Sequence, residues 1–248
     1  MIRRHLGALA FVAAAATAAS CSATTATPPA PAPSSPAATS AASAAAVKAA
    51  LTADQVGAAV VSAYKQASSV HVKGELTGRD GKTKLDLQLN QDSTSGTVEE
   101  DGTAFPVIRV GQTIYFQFGA TLLKQMGLSA TTEPGSLMLG KWVSSDSKLV
   151  ADLAASLRDA LAYGTFVNNM VGEMGSATFT DGGTDTVNGT SVLVFHASDG
   201  DVYVASGEPH YLLRMTDRKS TTLDFTGWNQ PVAVTAPPAK DIYSGPGA

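Results

Sequence analysis

Val70-His71-Val72-Lys73-Gly74-Glu75-Leu76-Thr77, then Asp80-Gly81, then Lys84-Leu85-Asp86-Leu87-Gln88-Leu89 is the stretch that decides the fold. Apolar residues at 70, 72, 76, 85, 87 and 89 alternate with polar ones, and a period of two places every second side chain on one face. Asp-Gly between the runs suits a tight turn. The stretch predicts an antiparallel hairpin with one apolar and one wet face.

Just before it, Thr52-Ala53-Asp54-Gln55 has the form of a capping box, with Thr52 as N-cap and Gln55 reaching back. Val56, Val60, Ala63, Tyr64 and Ala67 then share one helical face, and the helix is expected to end near Ser68-Ser69. After the hairpin, strands are predicted at about 95–100, 105–110 and 113–118, with Ile114, Phe116 and Phe118 on one face.

The middle of the chain reads as helical. Leu122, Leu123 and Met126 fit a short helix. Leu149, Leu153, Leu157 and Leu161 repeat every four residues after a cap at Asp146, until Gly164 breaks the helix. Phe166, Met170 and Met174 form a further stripe. Strands resume at about 176–181, 184–188, 191–197, 201–205, 210–216 and 221–227, with turns at Asp181-Gly182, Asn188-Gly189 and Asp199-Gly200. Pro231, Pro237 and Pro238 confine any last strand to an edge or an end. Short turns between successive strands imply a meander whose apolar face the helices must cover, which places residues 51–243 in one α+β domain and leaves 244–248 as a disordered tail.

The N-terminal region is of another kind. Arg3-Arg4, an apolar run from Leu6 to about Ala19, and Ala18-Ala19-Ser20 before Cys21 describe an export signal over residues 1–21. The stretch resembles a bacterial lipobox, with Ala18 where a leucine is commoner, and Cys21 is the lipidation site it implies. Cys21 is also the only cysteine, so the fold is held by its core and not by an internal disulfide. Residues 22–50 contain thirteen Ala and five Pro with Lys48 as the sole charge. That composition cannot bury a core and reads as a disordered tether, with a reach of about 30 Å for a flexible chain of this length. The expected location is the extracytoplasmic face of the cell membrane.

Charge and motifs exclude several functions. Without Arg3 and Arg4 the chain keeps 15 basic against 21 acidic residues, a charge of −6. That argues against a nucleic-acid partner. No Gly-x-Ser-x-Gly elbow, phosphate-binding glycine loop or His-Glu-x-x-His occurs. His71, His196 and His210 fall on different predicted strands without metal-ligand spacing, and Glu99-Glu100-Asp101 and Asp199-Gly200-Asp201 read as solvated turns. No catalytic residue, cofactor or metal ligand is assigned, and the chain is not expected to be an enzyme. Arg214 and Arg218, near Lys219 in a predicted hairpin, are the weak candidates for a lipid headgroup, against the plainer reading of a solvated turn.

The apolar stripes admit two readings, an ordinary core or the lining of a cavity for an acyl chain. The lining candidates are Leu85, Leu87, Leu89, Ile114, Phe116, Leu153, Leu157, Phe166 and Met170. Pattern alone favours the core.

Several strings in order carry a resemblance: Ser69-Val70-His71-Val72-Lys73-Gly74, Ile108-Arg109-Val110-Gly111-Gln112-Thr113-Ile114-Tyr115, Gly140-Lys141-Trp142-Val143, Asp201-Val202-Tyr203-Val204, Gly207-Glu208-Pro209, Leu212-Leu213-Arg214, and Leu223-Asp224-Phe225-Thr226-Gly227-Trp228 running on to Val234. Together they resemble actinobacterial lipoproteins of the LppX–LprG group, which shares the LolA-like fold, over about residues 52–243. The resemblance implies a curved antiparallel half-barrel with helices on its concave face and an apolar cavity between. It implies binding of acyl lipid or glycolipid in that cavity and its movement through the envelope; palmitate is expected on the lipidated Cys21, and an envelope transporter or sensor protein is the candidate protein partner. The alternative reading is an envelope sensor or interaction module that uses the same fold to bind a protein.

Overall fold

A computed structural model describes residues 51–77, 82–218 and 221–248. The Asp80-Gly81 turn, Lys219, Cys21 and the 22–50 tether lie outside the described residues.

Helix α1 (Ala53–Gln66) begins as its sequence dictates, with Gln55 Oε1 accepting from the Thr52 backbone N–H at 3.2 Å. The alternating stretch then forms β1 (Ser69–Thr77) and β2 (Lys82–Asn90) in the register Val70↔Leu89, Val72↔Leu87 and Gly74↔Leu85, so its apolar positions share one face. The meander continues through β3 (Ser93–Glu100), β4 (Thr103–Val110) and β5 (Thr113–Gln117). Short helices α2 (Ala120–Gln125) and α3 (Gly135–Met138) lead to β6 (Trp142–Ser144), a three-residue strand absent from the sequence reading. Helices α4 (Ala151–Leu161) and α5 (Tyr163–Gly172) follow, and then β7 (Thr180–Val187), β8 (Thr190–His196), β9 (Gly200–Ala205), β10 (Leu212–Asp217) and β11 (Thr222–Thr226).

The strand order is β6-β5-β4-β3-β2-β1-β11-β10-β9-β8-β7, with every neighbouring pair of these strands antiparallel. Two meanders are therefore joined along one seam, where His71–Gly74 of β1 pair with Leu223–Thr226 of β11. The sheet is curved and open, an α+β half-barrel of the LolA-like kind. Gly74 permits a close approach at the seam. At φ 149° it brings β1 so close to β11 that a Cβ would lie 1.9 Å from the Thr222 carbonyl oxygen.

The inward face carries the core. Leu87, Leu89, Phe105, Ile114, Phe116, Val204 and Phe225 pack against Val60 and Tyr64 of α1, Leu157 and Leu161 of α4, and Phe166 of α5. The helical layer is fixed to the sheet by Arg109. This inward residue of β4 is only 7% exposed, and its Nε donates to the Leu161 carbonyl at the end of α4 at 2.8 Å, its Nη1 to the Gly111 carbonyl at 2.6 Å. Thr94 Oγ1 donates to the same Leu161 carbonyl at 2.6 Å. A cation at a helix C-terminus is favourable, while burial holds the Arg109 pKa below its ordinary value.

Several local readings are corrected. Ser147 Oγ, and not Asp146, accepts from the Leu149 N–H at the start of the helical stretch. The break between α4 and α5 falls at Ala162, which is extended, and Gly164 lies inside α5. Asp181-Gly182 is no hairpin turn: β7 runs through it with a register shift between Asp181 and Thr184, because an edge strand can absorb extra residues in a bulge. Residues 231–234 form no strand. Residues 244–248 pack as a strap where a loose tail was expected. The Tyr243 N–H donates to Trp142 O, Tyr243 Oη donates to Pro246 O, and Ser147 Oγ donates to Gly247 O. A parallel bridge between Trp142 and Ile242 covers the β6 edge.

Register defines the two ends of the half-barrel. Thr77, Lys82, Glu100, Thr103, Gln117 and Trp142 lie at one end, along with Thr180, His196, Gly200, Asp217 and Thr222. Ser69, Asn90, Val110, Thr226 and Leu212 lie at the other.

Candidate functional site

At the first of these ends the sheet and the helical layer part, leaving an apolar cavity of about 200 Å³. Its walls are the inward positions Val202, Met215 and Leu223 on β9, β10 and β11, with Leu76 from across the seam. Met174 and Phe179, from the segment that links α5 to β7, close it from the helical side. Deeper along the same strands Val204, Leu212 and Phe225 are fully buried. The cavity is thus the unfilled last layer of the core. Two methionines among its walls suit a surface that adapts to its occupant.

The mouth is polar. Asp199, Thr216, Asp217 and Thr221 surround it. Arg218 ties its two turns together: Nε donates to Ser198 O at 2.6 Å and the backbone N–H to Asp199 O at 3.2 Å. Arg218 therefore stands beside the cavity, as a headgroup candidate must, with its guanidinium already engaged on a carbonyl.

Arg214 is elsewhere. It pairs with Tyr203 and Asp224, outward positions between inward Val202 and Val204 and between Leu223 and Phe225. Its Nε and Nη2 grip both carboxylate oxygens of Asp224, which raises the Arg214 pKa. It lies on the face away from the cavity and is a structural ion pair of the outer sheet. The register shift between Leu212 and Arg214 places it there.

The nine lining candidates are gathered by the fold, but into the packed core. Leu85, Leu87, Leu89, Ile114, Phe116, Leu157 and Phe166 are all at most 4% exposed. Leu153 packs against them from the rim of the cluster, and Met170 lies in α5 with its side chain outside the described residues. None of the eight whose side chains are described lines the cavity at the mouth. Leu76, Met174, Phe179, Val202, Met215 and Leu223 were not singled out because alternation marks the inward face without showing where two layers fail to meet.

The histidines are each engaged separately. His71 Nε2 and His196 Nδ1 lie 2.7 Å from Asp86 and Asp201 oxygens, and His210 Nδ1 lies 3.0 Å from Ala205 O. Among the described residues no three His, Cys, Asp or Glu side chains are placed to share a metal ion, and no helix is long and apolar enough to cross a membrane.

No family model matches the chain, and no curated protein matches it in sequence. Among solved structures it is similar to LprF of Mycobacterium bovis, at 14% identity over 75% of this chain and 96% of that one, with a TM-score of 0.49. It is also similar to the lipoprotein LppX of Mycobacterium tuberculosis, at 15% identity over 72% and 95%, TM-score 0.44. Both are lipoproteins of the LppX/LprG family, the group that the sequence strings resemble. A more distant likeness is to MucB of Pseudomonas aeruginosa, seen in complex with MucA, at 14% identity over 76% and 59%, TM-score 0.33. At such identities and scores the likeness describes the course of the chain and decides neither ligand nor partner.

Proposed function

We propose that the chain is an envelope lipoprotein, anchored through lipidated Cys21 after removal of residues 1–20 and tethered by residues 22–50, that holds one end of an acyl chain or similar apolar group in the cavity at the mouth. The observation that supports this reading is the apolar wall formed by Leu76, Met174, Phe179, Val202, Met215 and Leu223 in a cleft that is open at its polar mouth. An apolar cavity of about 150 Å³ admits benzene, so a cleft of 200 Å³ has room for a somewhat longer group. At roughly 30 Å³ per water-sized unit it takes about seven methylenes, worth about 5–6 kcal/mol at 0.8 kcal/mol each.

The volume also bounds the cargo. Pockets that enclose a whole ligand run to about 300–1,000 Å³. A 16-carbon chain therefore enters only by its end, unless the segment linking α5 to β7 moves away from β9 and β10. Partial burial suits a carrier: the chain gains about as much per methylene in a bilayer as in the cavity, so loading and release stay near balance.

The test is native mass spectrometry of the full chain with Cys21→Ser, purified from a lipid-containing host, alongside the same chain with Met215→Glu. A bound apolar mass that the Met215→Glu change removes is the expected result. Bare polypeptide in both samples refutes the reading. Crosslinking in cells that recovers one protein with and without Met215→Glu identifies an interaction module instead.

A further inference from the structure

We infer that the mouth end of the half-barrel faces the membrane, with Leu137 and Leu139, near the β6 edge of the sheet, entering the lipid interface at that same end; this rests on the anchored reading of Cys21. Three independent placements converge there. The first is the start of α1. Helix α1 is about 21 Å long at 1.5 Å per residue. Its C-terminal half packs at the far end, where Tyr64 meets Trp228 edge-on at 5.0 Å just after β11. Its N-terminal half packs at the mouth end, where a Cβ on Gly57 would lie 2.2 Å from the carbonyl oxygen of Met174, a wall of the cavity. Leu51, the first described residue, therefore lies toward the mouth end.

The second is the apolar pair. Leu137 and Leu139 are each 45% exposed, two of the three large apolar side chains exposed to this degree among the described residues. They sit between β5 and β6 at the mouth end, where Phe118 N–H donates to Lys141 O and Gly140 N–H to Phe118 O. The third is the set of lysines around that pair. Lys141 Nζ donates to Lys240 O at 2.8 Å, and exposed Lys124 ends α2 in the same connection. Glu133 and Asp241 lie in these segments too, and Glu100, Asp199 and Asp217 stand at the same end, so the apolar side chains and not the charge carry the contact.

Two leucines are too few to bind a bilayer from free solution. A tether of about 30 Å changes this by holding the end at an effective concentration in the millimolar range. A chain released by Cys21→Ser should therefore leave the bilayer, while the anchored chain docks. Docking places the cavity mouth against its supply of acyl chains, so that a chain end passes from lipid to cavity without crossing water.

The experiment uses the lipidated full chain in vesicles of phosphatidylcholine and phosphatidylglycerol. Because Cys21 is the only native cysteine and its thiol is alkylated, an added cysteine takes a polarity-sensitive fluorophore alone. Labels go at Leu139→Cys, at Ser198→Cys beside the mouth, and at Ser206→Cys in the turn between β9 and β10 at the far end. Iodide quenching should fall about threefold at position 139, less at 198 and not at 206, as expected for interfacial burial, and Leu137→Glu should restore quenching at 139. Equal quenching at all three positions in a chain that floats with the vesicles overturns the docking and leaves the anchor standing. A wild-type chain that does not float overturns both. Protection at 139 in cell envelopes but not in pure vesicles overturns the lipid contact in favour of a protein.

Discussion

Replacing Arg109 by Met tests whether a buried charge holds the helical layer on the sheet. Met keeps most of the apolar stem and removes the fork. Two well-formed bonds are lost, to Leu161 O at 2.8 Å and to Gly111 O at 2.6 Å; the contact with Gln91 O at 3.4 Å adds little. Hydrogen bonds to a charged group contribute about 1.5–3 kcal/mol each, so about 3–6 kcal/mol is at stake. Against this stands the relief of a desolvated guanidinium, worth several kcal/mol. Leu161 O keeps its bond from Thr94 Oγ1, and Gly111 is exposed, so water reaches its carbonyl. The expected net loss is about 2 kcal/mol, which for a domain of this size lowers Tm by about 4–8 °C. Urea titration of the full chain followed by circular dichroism should show a midpoint lowered by about 1 M at an unchanged slope. Arg109→Lys should lose about as much, since a single ammonium cannot copy the two-pronged geometry. A Met variant as stable as the parent, or more so, refutes the argument, because desolvation then outweighs the bonds.

Four further outcomes are expected. Gly57→Ala should lower Tm although alanine favours helix by about 1 kcal/mol, because the new methyl would lie 2.2 Å from the Met174 carbonyl oxygen and overpacking costs about 1–3 kcal/mol; a raised Tm counts against the close contact. Tyr64→Phe should stabilise by about 1 kcal/mol in urea titration, since the Tyr64 hydroxyl is buried without a partner among the described residues and an unsatisfied polar group carries a cost of that order. Asp86 has its pKa lowered, chiefly by the bond from Lys73 and also by His71. Its contribution is thus present above the unfolded carboxylate value of about 4 and fades as pH falls through the lower folded value. The stability difference between the parent and Asp86→Asn should shrink as pH falls across that window. Asp224→Asn should cost about 1 kcal/mol, lost from the two-pronged Arg214 pair, without altering apolar ligand binding, because the pair lies on the outer face.

The fold was more legible than the site, for a physical reason. Alternation at Val70–Leu76 and Leu85–Leu89 specifies both period and face, and a one-residue slip would turn every leucine to water, so register follows from pattern. Asn188-Gly189 likewise specifies its turn, and both residues adopt positive φ, 50° and 80°. β6 escaped notice because three residues carry no period, and its pairing with β5 is a tertiary event. The mouth cavity escaped because Met215 and Leu223 are written like any inward residue. Whether an inward side chain meets a partner depends on how far the opposite layer reaches, here on the segment from Met174 to Phe179. Arg109 was equally hidden, a charged residue among apolar neighbours whose partners are backbone carbonyls without a sequence signature.

The seam between β1 and β11 also orders events in time. Synthesis presents the chain from its N-terminus, so β1 to β6 are available once Ser144 has emerged, some 80 residues before Thr226. Throughout that interval β1 offers a nine-residue edge with apolar neighbours and nothing to pair with, the kind of edge that recruits other chains. The half-barrel is completed only when the last strand arrives beside the first. Truncation anywhere before Leu223 should therefore yield an aggregating product and not a smaller stable fold.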